Sequence, residues 1–279
     1  MGERKRRREA FFAKNPKCCF CGGSNVAKEI DHQPPKIFFI KKASSRLLRF
    51  PACSNCNRSS RILDQVIAFY SRLDATGYFT SDFSEMNKII DSFNNNYPTL
   101  KPYFIDAKTK KKVFRDLGLA KPKGKIWSEV PVVEFNPNVF KLLKLGIAKI
   151  GIAMYYQFRK IPASLGANII VIIEKDISIL PSTQLQEFKL EWQDFSVFQN
   201  NNELSQQQFG VKISYHEDES LFLCHMRLNA SIVATVVVAE NELEGLEVDY
   251  RIEEVGFPWG ADLDALLKGK PEYMYYSSM

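Results

Sequence analysis

The chain has 279 residues, 45% apolar and 25% charged, with 14 Gly and 13 Pro. That composition excludes collagen-like, low-complexity and wholly disordered proteins, and the length suffices for one large core or two smaller ones. The net charge of +6 hides an asymmetry, because residues 1–65 carry 15 Lys and Arg against 5 Asp and Glu, a balance of +10, while the remainder stands at −4. A concentrated positive segment attracts polyanions, nucleic acid above all, through release of condensed counterions. No membrane partner is expected, since Lys144 and Lys149 interrupt the most apolar stretch, Leu142 to Tyr156, well short of a span. No apolar segment follows the basic run Arg4-Lys5-Arg6-Arg7-Arg8, so it reads as an arm rather than a signal peptide, and a cytoplasmic protein is expected.

In chain order, residues 1–15 read as a basic arm or helix. Residues 16–75 open on a stretch rich in Cys, Gly, Pro and Lys and poor in apolar residues, which needs a staple such as a metal. From Ile62 the spacing of Ile62, Leu63, Val66, Ile67, Phe69 and Tyr70 is helical. Residues 76–162 are expected to form a helical connector. It holds a short helix over Ser84 to Phe93, a turn-rich Lys-bearing link over 94–131, and a long helix over Asn138 to Phe158 whose Gly146 and Gly151 allow close packing. Residues 163–279 read as a mainly β subdomain. Its strands are expected at Asn168 to Ile173, Phe209 to Tyr215, Leu221 to Met226, Ile232 to Val238 and Leu246 to Ile252. Cys224 reads as a buried small hydrophobe, and His216 and His225, in strand-like stretches, read as core or surface imidazoles rather than ligands. The class is thus α+β.

Five of the six cysteines fall between positions 18 and 56. Cys18-x-x-Cys21 and Cys53-x-x-Cys56, 31 residues apart, have the spacing of a tetrahedral four-thiolate zinc site, closed to water and structural. Cys19 is left over. Between the pairs lies Glu29-Ile-Asp31-His32-Gln-Pro-Pro-Lys36, and Asn57 follows the last Cys. Phosphodiester hydrolysis needs a base, a hard divalent cation and oxygen ligands for it. His32 can be the base, and Asp31 and Asn57 carry oxygens that suit Mg²⁺. Lys36 and Arg58 are candidate phosphate contacts. Phe38, Phe39 and Phe50, interleaved with Lys41, Lys42 and Arg49, either stack on bases or pack beneath the cysteines.

These residues resemble the zinc-stapled HNH nucleases, in particular the bacterial branch reading Asp-His-x-Pro-Pro-Lys and Pro-Ala-Cys-x-x-Cys-Asn, matched here by residues 31–36 and 51–57. The likeness covers about residues 16–66. It implies a ββα-metal, treble-clef-like module at 16–75 with zinc on Cys18, Cys21, Cys53 and Cys56. It further implies His32 as general base, a catalytic Mg²⁺ or Mn²⁺ on Asp31 and Asn57, and DNA as the substrate. The middle Asn of the HNH triplet is replaced by Arg46, which braces the His-bearing loop, touches phosphate, or marks lost catalysis. The alternative expectation is accordingly a catalytically inactive nucleic-acid-binding zinc protein. The C-terminal half is the place where a homodimer could form.

Overall fold

The computed structural model describes residues 2–39, 48–72, 83–100, 103–104, 106–116, 118, 120–121, 123–130, 133–134, 137–176, 208–216, 220–229, 232–242, 247–254, 256–259 and 261–268. Helix α1 (Glu3–Lys14) buries none of its own side chains. It is held from outside: the Arg8 guanidinium donates to the Lys28 carbonyl at 2.6 Å, and the Tyr156 hydroxyl donates to Asn15 Oδ1 at 2.8 Å. Strands β1 (Glu29–His32) and β2 (Arg49–Ala52) pair antiparallel, with Glu29 opposite Ala52 and His32 opposite Arg49. Helix α2 (Ser54–Ser59) follows at once, then α3 (Arg61–Tyr70), which buries Ile62, Leu63, Val66, Ile67 and Phe69. Helix α4 (Phe83–Asn96) extends the helix expected over Ser84 to Phe93 and sets Phe93 edge-on to Phe69 at 5.8 Å.

The link over 94–131 is more ordered than its lysines imply. After a two-residue strand β3 (Tyr103–Phe104) comes helix α5 (Ala107–Asp116), then β4 (Val133–Glu134), which pairs with β3. Asp106 starts α5: its Oδ1 accepts the amides of Lys108 and Thr109 at 2.8 and 3.0 Å, as a helix-capping carboxylate does. Phe114 and the stem of Lys110 supply a buried stripe, and the Lys110 ammonium reaches the Trp127 carbonyl at 3.2 Å.

Helix α6 (Pro137–Arg159) is the centre of the molecule. It is apolar nearly all round, as a helix between two layers must be; α3 lies on one side and the sheet on the other. Both expected glycines lie at close approaches, since a Cβ on Gly146 would fall within 3.0 Å of Ile67 on α3, and one on Gly151 within 3.0 Å of Val236. The sheet is antiparallel throughout, in the order β6 (Phe209–His216), β7 (Leu221–Leu228), β8 (Ile232–Ala239), β5 (Asn168–Asp176), β9 (Tyr250–Arg251). Among the described residues of the strand expected over Leu246 to Ile252, pairing is confined to Tyr250 and Arg251. The Asp249 side chain takes the Val171 amide at 2.7 Å and the Lys144 ammonium at 2.9 Å, while its own amide donates to the Ile169 carbonyl at 3.0 Å. His225 packs on β7 with its Nδ1 2.7 Å from Thr235 Oγ1, and Cys224 is buried. A short helix α7 (Leu263–Lys268) closes the description. One hydrophobic cluster runs without a break from Cys18 and Phe20 through α3 and α6 to Val238 and Trp259. Among the described residues no helix is long and apolar enough to cross a membrane.

Gly151→Leu should force side chain into Val236 and cost about 2–3 kcal/mol of stability, the scale of core overpacking; urea unfolding of the variant beside wild type measures it.

Candidate metal centre and adjoining cleft

Cys18, Cys21, Cys53 and Cys56 are all buried, and their sulfurs lie within 4.8 Å of one another, so the group could hold a metal ion such as zinc. The spacing fits, because four sulfurs at about 2.3 Å from a tetrahedral Zn²⁺ stand about 3.8 Å apart. Two local devices shape the group. The first knuckle is a tight turn closed by the Cys18 amide on Asn25 O at 2.9 Å and the Ser24 amide on Cys21 O at 2.9 Å. In the second, Cys53 sits at the start of α2 and its Sγ accepts the Cys56 amide at 3.5 Å. Further donors point at sulfur: the Phe20 amide at Cys18 (3.4 Å), the Asn25 side chain at Cys21 (3.5 Å) and the Phe257 amide at Cys56 (3.2 Å). N–H groups aimed at sulfur favour thiolate. Hydrogen bonds from Cys18 and Cys56 lower the Cys21 thiol far below its ordinary value, while the bond to Cys21, with burial, pushes Cys18 up and the bonds to Cys18 and Cys21, with burial, push Cys56 up. Four such sulfurs can all be anionic only around a cation. Cys19 is buried outside the group, its amide on Pro51 O at 3.0 Å.

Sequence reading missed the segment that closes this centre from the other end of the chain. Besides the Phe257 amide on Cys56, the Phe257 carbonyl accepts Ser59 Oγ at 2.7 Å, and Trp259 Nε1 donates to Phe20 O at 2.7 Å. Gly256, at φ +89°, passes so near that a Cβ would lie 3.1 Å from Cys56 Sγ. The signal was present as Gly256-Phe-Pro-Trp259, a turn carrying two large aromatics.

A cleft of about 730 Å³ lies beside the centre, lined by Glu29, Ile30, His32, Arg49 and Asn57 and by Glu3, Arg4, Arg7 and Arg8 of α1. It unites two of the expected site residues, His32 and Asn57, with two carboxylates that were not singled out, Glu29 and Glu3, the latter paired with Arg7. The Asn57 amide Nδ2 donates to Glu29 Oε2, and this bond, ahead of all else, lowers the Glu29 carboxyl below its usual value. Arg58 lies outside the lining and faces Glu29 Oε1 at 3.7 Å. His32 is half-buried, and burial first, then the charges of Lys36 and Arg49, lower its pKa against the opposing pull of Asp31. The imidazole is therefore neutral at pH 7. Lys36 is exposed on the turn after β1; Phe38, Phe39 and Phe50 are buried and pack rather than stack. Arg46, Lys41 and Lys42 lie outside the described residues.

Asp31 is not in the cleft. Its residue is 5% exposed; Oδ1 accepts the His32 amide at 2.7 Å and the Gln33 amide nitrogen at 3.2 Å, while Oδ2 forms an ion pair with Lys149 of α6. Lys149 is 1% exposed. It also donates to the Ser60 hydroxyl and lies 5.0 Å from the ring centre of Phe20 and 5.7 Å from that of Phe257. Burial works to lower its pKa, but Asp31 and Asp64 outweigh burial, so it stays charged. Burial in turn lifts the Asp64 carboxyl to about 7.

No protein-family model, no curated protein and no solved structure matches this chain.

Freshly purified protein should carry one zinc per chain by metal analysis, and Cys53→Ser should lose it together with the near-ultraviolet signal of the surrounding aromatics. A structural thiolate site contributes on the order of 10 kcal/mol to folding, so a metal-free yet fully folded Cys53→Ser protein would contradict the assignment.

Proposed function

We propose that the protein is a metal-dependent nuclease that hydrolyses phosphodiester bonds in DNA, built on a zinc-stapled HNH module. The observation that carries this reading is the cleft itself, lined by a neutral imidazole, an amide, two carboxylates and four arginines. Arg4, Arg7, Arg8 and Arg49 supply the charge that draws a polyanion and can each grip a phosphate through two N–H groups. The order hairpin, knuckle, helix around the cysteines agrees with the resemblance in residues 16–66.

On this reading His32 takes a proton from water as the resulting hydroxide attacks phosphorus; the P–O3′ bond breaks, and the leaving oxygen takes its proton from solvent, giving a 5′-phosphate and a 3′-hydroxyl. A bound divalent cation would stabilise the negative charge on the non-bridging and leaving oxygens. Arg49, paired in register with His32, lies beside the attacked phosphate, and α1 holds the flanking backbone. The zinc on the four cysteines takes no chemical part and fixes α2, which carries Asn57, against β1. Asp31 does not fit as the cation's ligand, because both its oxygens serve the protein interior.

His32→Ala should abolish cleavage of plasmid DNA in Mg²⁺ or Mn²⁺ while zinc content and DNA affinity stay near wild type. No cleavage by the wild-type protein under these conditions would leave a nucleic-acid-binding zinc protein instead. Because His32 is depressed, the rise of kcat/KM with pH should have its midpoint below about 6.5, the ordinary histidine value; a midpoint above that value would remove His32 as the base. Replacing Arg4, Arg7 and Arg8 together by Ala should flatten the log–log salt dependence of DNA binding by about 2–3, read by fluorescence anisotropy across salt concentrations.

A further inference from the structure

We infer that Glu29, with Asn57, holds the divalent cation of the cleft, and that Asp31, the carboxylate next to the histidine, is withdrawn from it by Lys149. The inference rests on the nuclease reading for its purpose but not for its geometry. Strand β1 offers two carboxylates. Asp31 has Oδ1 engaged by two N–H donors and Oδ2 by a buried ammonium, and it is 5% exposed. To ligate a cation it would have to abandon Lys149, leaving an ammonium that is 1% exposed without its main counter-charge, a cost of several kilocalories that a weakly held Mg²⁺ does not return.

Glu29 is free of that commitment. It lines the cleft, where its partners are the Asn57 amide and the Ser54 side chain, and Arg58 Nε stands 3.7 Å from Oε1, beyond hydrogen-bond length. The Asn57 amide already touches its Oε2. A half-turn of that amide about its last side-chain bond exchanges Nδ2 for Oδ1 and places an amide oxygen and a carboxylate oxygen together. A hard cation takes this type of pair, completing its shell with water and phosphate oxygens. His32 lines the same cleft, so water on such a cation lies within the space the imidazole serves. The four arginines oppose a bare cation and favour one bridged to phosphate. Cation and phosphodiester should accordingly bind together.

The test is Mn²⁺ uptake measured by electron paramagnetic resonance, alone and with thymidine 3′,5′-bisphosphate as an uncleaved phosphate probe, on the full-length zinc-loaded protein. Wild type should bind one Mn²⁺, at least threefold more tightly with the probe. Glu29→Gln, a surface isostere that should keep its zinc and its circular dichroism, should weaken Mn²⁺ at least tenfold. The double variant Asp31→Asn/Lys149→Met, which removes both buried charges at once, should bind within threefold of wild type. Unchanged Mn²⁺ affinity in Glu29→Gln, no Mn²⁺ uptake by wild type, or a loss in a folded double variant as large as in Glu29→Gln would each overturn the inference. Glu29→Gln decides it whether or not the double variant folds. DNA cleavage with no Glu29-dependent cation sinks this inference and leaves the nuclease reading, whereas a Glu29-dependent cation in a protein that cuts nothing does the reverse.

Discussion

The ion pair between Asp31 and Lys149 is the contact on which the arrangement of the site depends. Burying an ammonium costs several kcal/mol, and here the cost is offset by the Asp31 carboxylate, the Ser60 hydroxyl and the faces of Phe20 and Phe257. Those partners come from four separate places: β1, the turn between α2 and α3, the first cysteine knuckle and the 256–259 turn. The lysine itself belongs to α6, the helix around which both layers pack. Breaking such a pair from one side costs about 3–5 kcal/mol because the other charge is stranded. The pair therefore fixes which way β1 faces. Asp31 is pinned inward, while His32, the next residue, lines the cleft together with Glu29 and Ile30.

The cysteine centre is coupled to the same knot. Its sulfurs accept N–H groups from both knuckles and from Phe257, and Trp259 ties the backbone of the first knuckle to the far end of the chain. A metal there would hold more than two local loops. It would hold α2 at the angle that carries Asn57 to Glu29, and it would hold the 256–259 turn whose Phe257 ring lies over Lys149. The cysteine group, the buried ion pair and the wall of the cleft thus share neighbouring residues, and the N-terminal segment shares one hydrophobic core with α6 and the sheet.

The cysteines were legible because knuckle spacing is a local property: two residues between thiolates suffice to fix the turn. Helix α3 and strand β7 were legible from periodicity, and α6, β5 and β8 from long apolar or β-branched runs that suit elements buried on both sides. Helix α5 was not. Its lysines read as a turn-rich link, although Asp106 caps it and Lys110 buries its stem in place of an apolar residue. Lys149 was read only as an interruption of an apolar run, because a single charge on a buried helix does not reveal which distant strand will neutralise it. The same limit applies to Asp31 and Glu29. Sequence places both beside His32, and only the tertiary pairing with α6 distinguishes the carboxylate facing inward from the one facing the cleft.

One electrostatic field then serves two needs of the proposed chemistry. Burial, with Lys36 and Arg49, lowers the pKa of His32, and Arg49 with the arginines of α1 lines the same space, where they would attract phosphate. Depressing a base ordinarily weakens it, since a lower proton affinity means a poorer proton acceptor. The substrate resolves the conflict. A phosphodiester bound among the arginines brings negative charge next to the imidazole, cancels part of the positive field and raises the proton affinity of His32 when water is in place to be deprotonated. On the proposed reading the imidazole is thus neutral before the substrate arrives and would be a stronger base once it has.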